Sequence, residues 1–320
     1  MVIVKSIILM IIGFILLIRA SDIFVDAVSS IATNFKMSKM MIALTVAAFG
    51  TCAPELAISF NSISTGVGDI ALANVLGSNV VNILLVIGLA AFVAPIKVKN
   101  DVIKRELPIL LSTTSLFAIA ILTHYLMPST DQFILNRYDG IMFMILFIMF
   151  IVYIVKVVRA KKGILERGKP KYKIWQSIVL TVICCVVIII ASDLVVDNAK
   201  ALAGYLNVST KIITMTLVVI GTSLPEMTMT VIAAKKGEFD IALGNIIGTN
   251  IFNIGVVLGL PLMIYGGFSS VHFNLIDILA VQIAAVSLYL FARNDRILSK
   301  AEGLIMLFIF SAYYAYILFI

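Results

Sequence analysis

Residues 50–55 read Gly-Thr-Cys-Ala-Pro-Glu, and residues 221–226 read Gly-Thr-Ser-Leu-Pro-Glu, the same frame repeated 171 positions further on. Each hexapeptide lies inside an apolar run, where glycine and proline both weaken a helix. Proline removes a backbone donor, so carbonyls near Ala48 and Val219 are expected to lose their helical partners. In hydrocarbon such groups persist only where protein, water or an ion satisfies them. Each break is followed at once by a glutamate, Glu55 or Glu226.

Outward from the hexapeptides, residues 20–90 match residues 191–261 at the same offset without a gap. Ala20-Ser21-Asp22 answers Ala191-Ser192-Asp193, and Asp26 answers Asp197. Asp69-Ile70-Ala71-Leu72 answers Asp240-Ile241-Ala242-Leu243, while Asn74, Gly77, Asn79, Asn82 and Gly88 answer Asn245, Gly248, Asn250, Asn253 and Gly259. Apolar periodicity would align leucine with isoleucine but would not align Pro-Glu with Pro-Glu. The first apolar run has the look of a signal peptide, with Lys5 ahead of it, yet its end matches a stretch deep in the chain and is expected to be retained.

Of 320 residues, 62% are hydrophobic and 13% charged, against about 45–50% and about 25% in soluble domains. The chain therefore reads as an all-α integral membrane protein. Ten spans are expected near 3–28, 40–63, 70–94, 107–127, 139–158, 175–200, 210–233, 240–265, 273–292 and 302–319, each close to the about 20 residues that cross a bilayer. Residues 1–158 form one five-helix repeat, 159–174 a basic loop, and 175–320 the second repeat, with helices two and seven broken. Equivalent positions are separated by five spans, an odd number, so the repeats point in opposite directions, the plan of many secondary transporters.

Charge sets the sidedness. Residues 159–174 carry a cluster of lysines and arginines against the single acid Glu166, which marks that loop as cytoplasmic. Both termini then lie outside the cell membrane, and all but Lys5, Arg19, Arg137, Lys200 and Lys211 of the 24 basic residues fall inside. The excess of +7 follows topology rather than a nucleic-acid surface, and binding of anionic lipid by the 159–174 loop is a secondary expectation. Asp22 with Asp26, and Asp193 with Asp197, form i,i+4 pairs towards one end of the first and sixth spans and read as solvated interfacial acids ahead of an ion-attracting vestibule. Cys184 and Cys185 read as small core side chains.

An ionisable group within the bilayer costs at least ~2.5 kcal/mol on insertion scales and marks a functional site by default. Hard cations such as calcium take carboxylate, carbonyl and hydroxyl oxygens. Thr51, Thr222 and Ser223 supply hydroxyls beside the two glutamates, and GSNVVN at 77–82 and GTNIFN at 248–253 place Ser78 with Asn82, and Thr249 with Asn253, on shared helix faces. Asn74, Asn79, Asn245 and Asn250 serve equally well as ligand support or as links between helices.

GTxxPE followed by a Gly-(Ser/Thr)-Asn-x-x-Asn motif, present twice, resembles the alpha-repeats of the sodium/calcium exchanger family within the cation/calcium antiporters. The resemblance implies a calcium site between Glu55 and Glu226, with sodium sites using Thr51, Ser78, Thr222, Ser223 and Thr249, and no cofactor beyond the transported ions. It also implies that spans one and six slide past the other eight. Two positions depart from it: Asn253 stands where many members carry aspartate, and Cys52 where serine is usual. A thiol is a poor ligand for a hard cation. The residues alone leave sodium-coupled exchange, proton-coupled exchange and a cation channel open, while no HExxH or GxSxG points to an enzyme.

Overall fold

A computed structural model of the chain describes residues 2–66, 68–125, 133–160, 170–205, 219–270 and 275–319. Apolar segments have no water to bond in hydrocarbon and fold as helices that satisfy their own backbones. In chain order these are α1 (Val2–Phe35), α2 (Lys39–Thr51), α3 (Ala53–Ser64), α4 (68–93), α5 (102–125) and α6 (Arg137–Ala160), then α7 (Ile174–Tyr205), α8 (Val219–Thr222), α9 (Leu224–Lys235), α10 (Phe239–Tyr265), α11 (Leu275–Arg293) and α12 (Lys300–Phe319). Short strands β1 (Ile96–Lys97), β2 (Phe133–Leu135), β3 (Phe268–Ser270) and β4 (Ile297–Leu298) follow α4, α5, α10 and α11.

Among the described residues seven helices are long and apolar enough to cross a membrane, and α2 with α3, bent by 52° at Cys52, adds an eighth if the pair counts as one span. The chain is thus a multi-pass, all-α membrane protein. Part of the seventh expected span, most of the central basic loop and Lys211 lie outside the described residues. Helix α12, of 20 residues, stands where the tenth span is expected. The first and sixth spans run further than hydropathy suggests, since α1 has 34 residues and α7 has 32. At 1.5 Å per residue, α1 is about 50 Å long and exceeds the ~30 Å hydrocarbon layer.

Helices α1 and α7 pack along each other in opposite directions. A methyl group at Gly13 would lie 2.6 Å from Val195 Cγ2, while at the other end Asn34 Nδ2 donates to Tyr172 O at 3.0 Å. Their outer faces expose Ile, Leu and Val to the lipid, whereas α4 and α10 form the buried centre.

The two halves interlock through matched contacts. Helix α4 crosses α12 where Gly88 meets Gly303, and α10 crosses α6 where Gly259 meets Gly140. At both crossings a side chain would strike backbone; a Cβ on Gly303 would sit 2.7 Å from Gly88 O. Small residues let helix backbones approach this closely in lipid. The strands exchange in the same manner, β1 pairing with β4 and β2 with β3, both antiparallel. Helices α6 and α12 also begin alike: Asp139 Oδ2 accepts from Asn136 N at 2.8 Å and Glu302 Oε2 from Ser299 N at 2.7 Å, reciprocal caps that free the first turn from dependence on water.

The loops assigned to the cytoplasm by charge are tied together at one end. Lys39 pairs with Glu238, Lys99 with Asp240, Lys171 with Asp26, and Lys236 with both Asp22 and Asp26. The strand pair β1–β4 joins the loops after α4 and α11 to that end. Asp22 and Asp26 are therefore ion-paired rather than merely solvated, because folding brings lysines from two distant loops against α1. Replacing Gly303 with valine is expected to force α4 and α12 apart and lower stability by about 1–3 kcal/mol, read as a reduced melting temperature of the detergent-purified protein.

Candidate functional site

Helix α2 ends and α3 begins at Cys52, with φ −80° and ψ 6°, and α8 passes to α9 at Ser223, with φ −88° and ψ 3°. Both new helices carry proline in their first turn, where a missing N–H is harmless, and glutamate directly after it. Glu55 and Glu226 consequently sit in the first turns of α3 and α9, where the helix dipole favours negative charge.

The break frees a different carbonyl from the one expected. Ala48 O keeps partners, accepting from Cys52 N at 3.3 Å and from Thr51 Oγ1 at 3.2 Å. Proline 54 deprives the residue four positions back, which is Gly50, and Gly50 O instead accepts from the thiol of Cys185 on α7. By the same spacing the residue affected in the second break is Gly221 rather than Val219, which opens α8 and whose side chain lies outside the described residues. Cys185 is accordingly more than a core filler: it caps the break from a neighbouring helix.

Glu55 and Glu226 are both 0% exposed, and none of their four carboxylate oxygens has a hydrogen-bond partner. They lie within electrostatic reach of one another and of Cys52, which is also fully buried. Thr51 lies beside Glu226, although its hydroxyl hydrogen is directed back to the Ala47 and Ala48 carbonyls. Thr222 is only half-buried.

The other wall comes from α4 and α10, which cross at the centre of the protein. Asn253 Nδ2 on α10 donates to Asn79 Oδ1 on α4 at 3.1 Å. Both helices loosen into a π-helical turn at this level, over Val81–Ile87 and Asn253–Leu258, so that Asn82 and its equivalent Asn253 lie at corresponding irregularities. Such turns recur at functional sites because they redirect side chains and relax the backbone ladder. Ser78, Asn82, Ser223, Thr249 and Asn253 are all fully buried, and each retains an oxygen without a hydrogen-bond partner.

The remaining asparagines divide by geometry. Asn74 Nδ2 donates to Glu55 O at 3.2 Å and Asn245 Nδ2 to Thr230 Oγ1 at 3.2 Å, links from α4 to α3 and from α10 to α9. Asn250 bonds back to Ile246 O in its own helix. Ser59 and Thr230 were not among the candidates, yet both are buried one turn beyond a glutamate, and Ser59 Oγ has no partner. They occupy equivalent positions at the 171-residue offset, a signal open to inspection.

A buried polar atom without a partner costs about 1–3 kcal/mol, and a carboxylate more. A cluster of hydroxyl, amide and paired carboxylate oxygens is the donor set that fits a hard cation. Among the described residues no group of three or more His, Cys, Asp or Glu forms a metal cluster, so the charged donors are the two glutamates with neutral oxygens around them. Replacing Cys185 with alanine is expected to cost about 1 kcal/mol by leaving Gly50 O unbonded, while serine preserves stability; thermal unfolding of the two variants beside the parent checks this.

A family model described as sodium/calcium exchanger protein matches residues 5–156 and 176–319. The chain is 30% identical to sodium/calcium exchanger MaX1 of Methanosarcina acetivorans over 98% of each chain, and 37% identical to inner membrane protein YrbG of Escherichia coli over 81% of this chain and 80% of the relative. Its fold matches the solved structure of the sodium-calcium exchanger NCX_Mj soaked with 10 mM Na+ and no Ca2+, with a TM-score of 0.82, 30% identity, and 98% and 99% of the two chains covered. With two matched breaks, two buried glutamates and a crossing of asparagine-bearing helices between them, the chain belongs to the sodium/calcium exchanger family, whose members are cation antiporters.

Proposed function

We propose that this protein exchanges Ca2+ or a similar divalent cation for Na+ across the cell membrane by alternating access, using ten helices in two inverted five-helix repeats. The observation that carries this reading is the pair of fully buried, unpartnered glutamates, Glu55 and Glu226, within electrostatic reach of each other in an interior that also holds orphan oxygens on Ser78, Asn82, Ser223, Thr249 and Asn253. Two carboxylates neutralise one divalent ion, or face monovalent ions on the return. Thr51 and Thr222 add hydroxyls, whereas the Ala48 carbonyl already accepts from Cys52 N and Thr51 Oγ1 and is not counted as a ligand. Cys52, a soft donor, shapes the wall and withholds a ligand from that side.

The opposed course of α1 and α7, the exchanged strand pairs and the paired glycine crossings support the inverted repeat. The ion pairs that unite the basic loops support a single cytoplasmic end, with both termini outside. Among solved structures similar to this chain, NCX_Mj has also been soaked with Sr2+, a large divalent ion of the calcium kind. Proton-coupled exchange is the second reading. It is favoured by Asn253, which leaves two carboxylates whose charge two protons would also cancel.

Radiolabelled calcium uptake into proteoliposomes under separate sodium and proton gradients tests both. Sodium-driven uptake that persists when the pH gradient is collapsed is expected; uptake that follows the proton gradient alone overturns the sodium coupling. Glu55→Gln and Glu226→Gln are each expected to reduce uptake on the order of a hundredfold, since each removes a charged ligand from a buried ion. Asn253→Asp adds a carboxylate that must bind a cation or a proton, and is expected to make uptake fall more steeply between pH 8 and pH 6 than in the parent.

A further inference from the structure

The basic end of the molecule holds two groups of cations with different surroundings. Lys39, Lys99, Lys171 and Lys236 each face a carboxylate. Lys104, Arg105, Arg293 and Arg296 are exposed and enter no ion pair among the described residues. Two nearby acids are engaged by hydroxyls: Glu106 accepts from Tyr153 and Glu302 from Ser299. A positive-inside bias explains why bases gather at this end, but not why these four converge without partners.

They converge on two adjoining cavities. One, of about 510 Å³, lies between α5 and α11 and is lined by Lys104, Arg293 and Arg296, with Asn100 and the Tyr289 side chain adding hydrogen-bond donors. The other, of about 440 Å³, shares Lys104 and Pro108, is lined by Arg105 as well, and continues between α5 and α6 over Leu116, Leu146 and Phe150. Arg296 is held at the first cavity by its backbone: its φ of 57° lies in the left-handed region that residues other than glycine adopt uncommonly, and its carbonyl accepts from Val98 N at 2.8 Å beside β1. A basic pocket opening into an apolar furrow has the shape of one amphiphile with an anionic head.

We infer that these cavities bind one anionic phospholipid, its phosphate among Lys104, Arg293 and Arg296 and an acyl chain in the furrow between α5 and α6. The site lies apart from the glutamates, and does not depend on which ions are exchanged. A soluble phosphate fits the head but leaves the furrow unfilled; the lipid fits both. The 159–174 loop, where the charge count alone would place lipid, is not required.

The test uses the full chain, delipidated in detergent and offered equal amounts of phosphatidylglycerol and phosphatidylcholine with identical chains, with bound lipid read by native mass spectrometry. The parent is expected to retain phosphatidylglycerol over phosphatidylcholine by on the order of tenfold or more, as a cluster of three bases implies. The combined variant Lys104→Gln, Arg293→Gln, Arg296→Gln is expected to lose that preference, while removal of three bases elsewhere, at Lys5, Lys156 and Lys173, leaves it intact. Ser112→Trp, which fills the furrow without touching charge, is expected to reduce bound lipid several-fold. Arg293→Gln alone, with an unchanged melting temperature, should give an intermediate loss and guards against misfolding of the triple variant. Equal retention of both lipids by the parent, survival of the preference in the triple variant, full retention by Ser112→Trp, or displacement by millimolar glycerol phosphate each overturns the assignment; the last two would mean an anion site without a lipid.

Discussion

Two carboxylates sit in a protein interior where, among the described residues, no ion pair reaches them, and the rest of the structure is arranged around that cost. Several kcal/mol separate a buried, unpaired carboxylate from a solvated one. The helix starts at Glu55 and Glu226 lend partial positive charge, but a dipole end carries only about half a unit charge and cannot replace a counterion. What the protein does supply is oxygen: buried hydroxyls and amides on the helices that carry and cross the two breaks, left without hydrogen-bond partners. A site of this kind is stable only when it is shared with a cation or a proton, which is what an exchanger needs.

Holding these oxygens in place requires a stiff frame, since glycine and proline have weakened the helices that carry the acids. The frame is the crossing of α4 and α10, the most buried of the seven candidate spans among the described residues, locked to α12 and α6 by matched glycine contacts and to each other by the Asn253–Asn79 bond. Neither half could form this frame alone. Helix α3 packs on the π-helical turn of α10, and α9 on that of α4, so each break is supported by the opposite half of the sequence. The thiol of Cys185 extends this support, bonding the Gly50 carbonyl that Pro54 leaves free.

Much of this was legible in the residues. Proline and glycine have strong, local backbone consequences, and a glutamate in an apolar run has no inexpensive structural explanation, so the GTCAPE and GTSLPE frames located both breaks and both acids. The offset of 171 exposed the duplication because polar matches inside apolar helices rarely arise by chance. The same offset failed beyond residue 90: α6 and α12 correspond through their caps, Asn136 with Asp139 and Ser299 with Glu302, but at a different spacing set by loop lengths.

Sequence by itself determined the class of the protein, the position of its helix breaks and the identity of the two acids that follow them, because hydrophobicity, backbone chemistry and the cost of burying charge act over a few residues. Tertiary structure decided which carbonyl the break exposes to which partner, that Cys185 reaches Gly50, that Asp22 and Asp26 are paired with lysines, and that Asn79 meets Asn253. Each joins residues more than a hundred positions apart, or depends on a π-helical turn that shifts a side chain by part of a turn, and no short-range propensity records either.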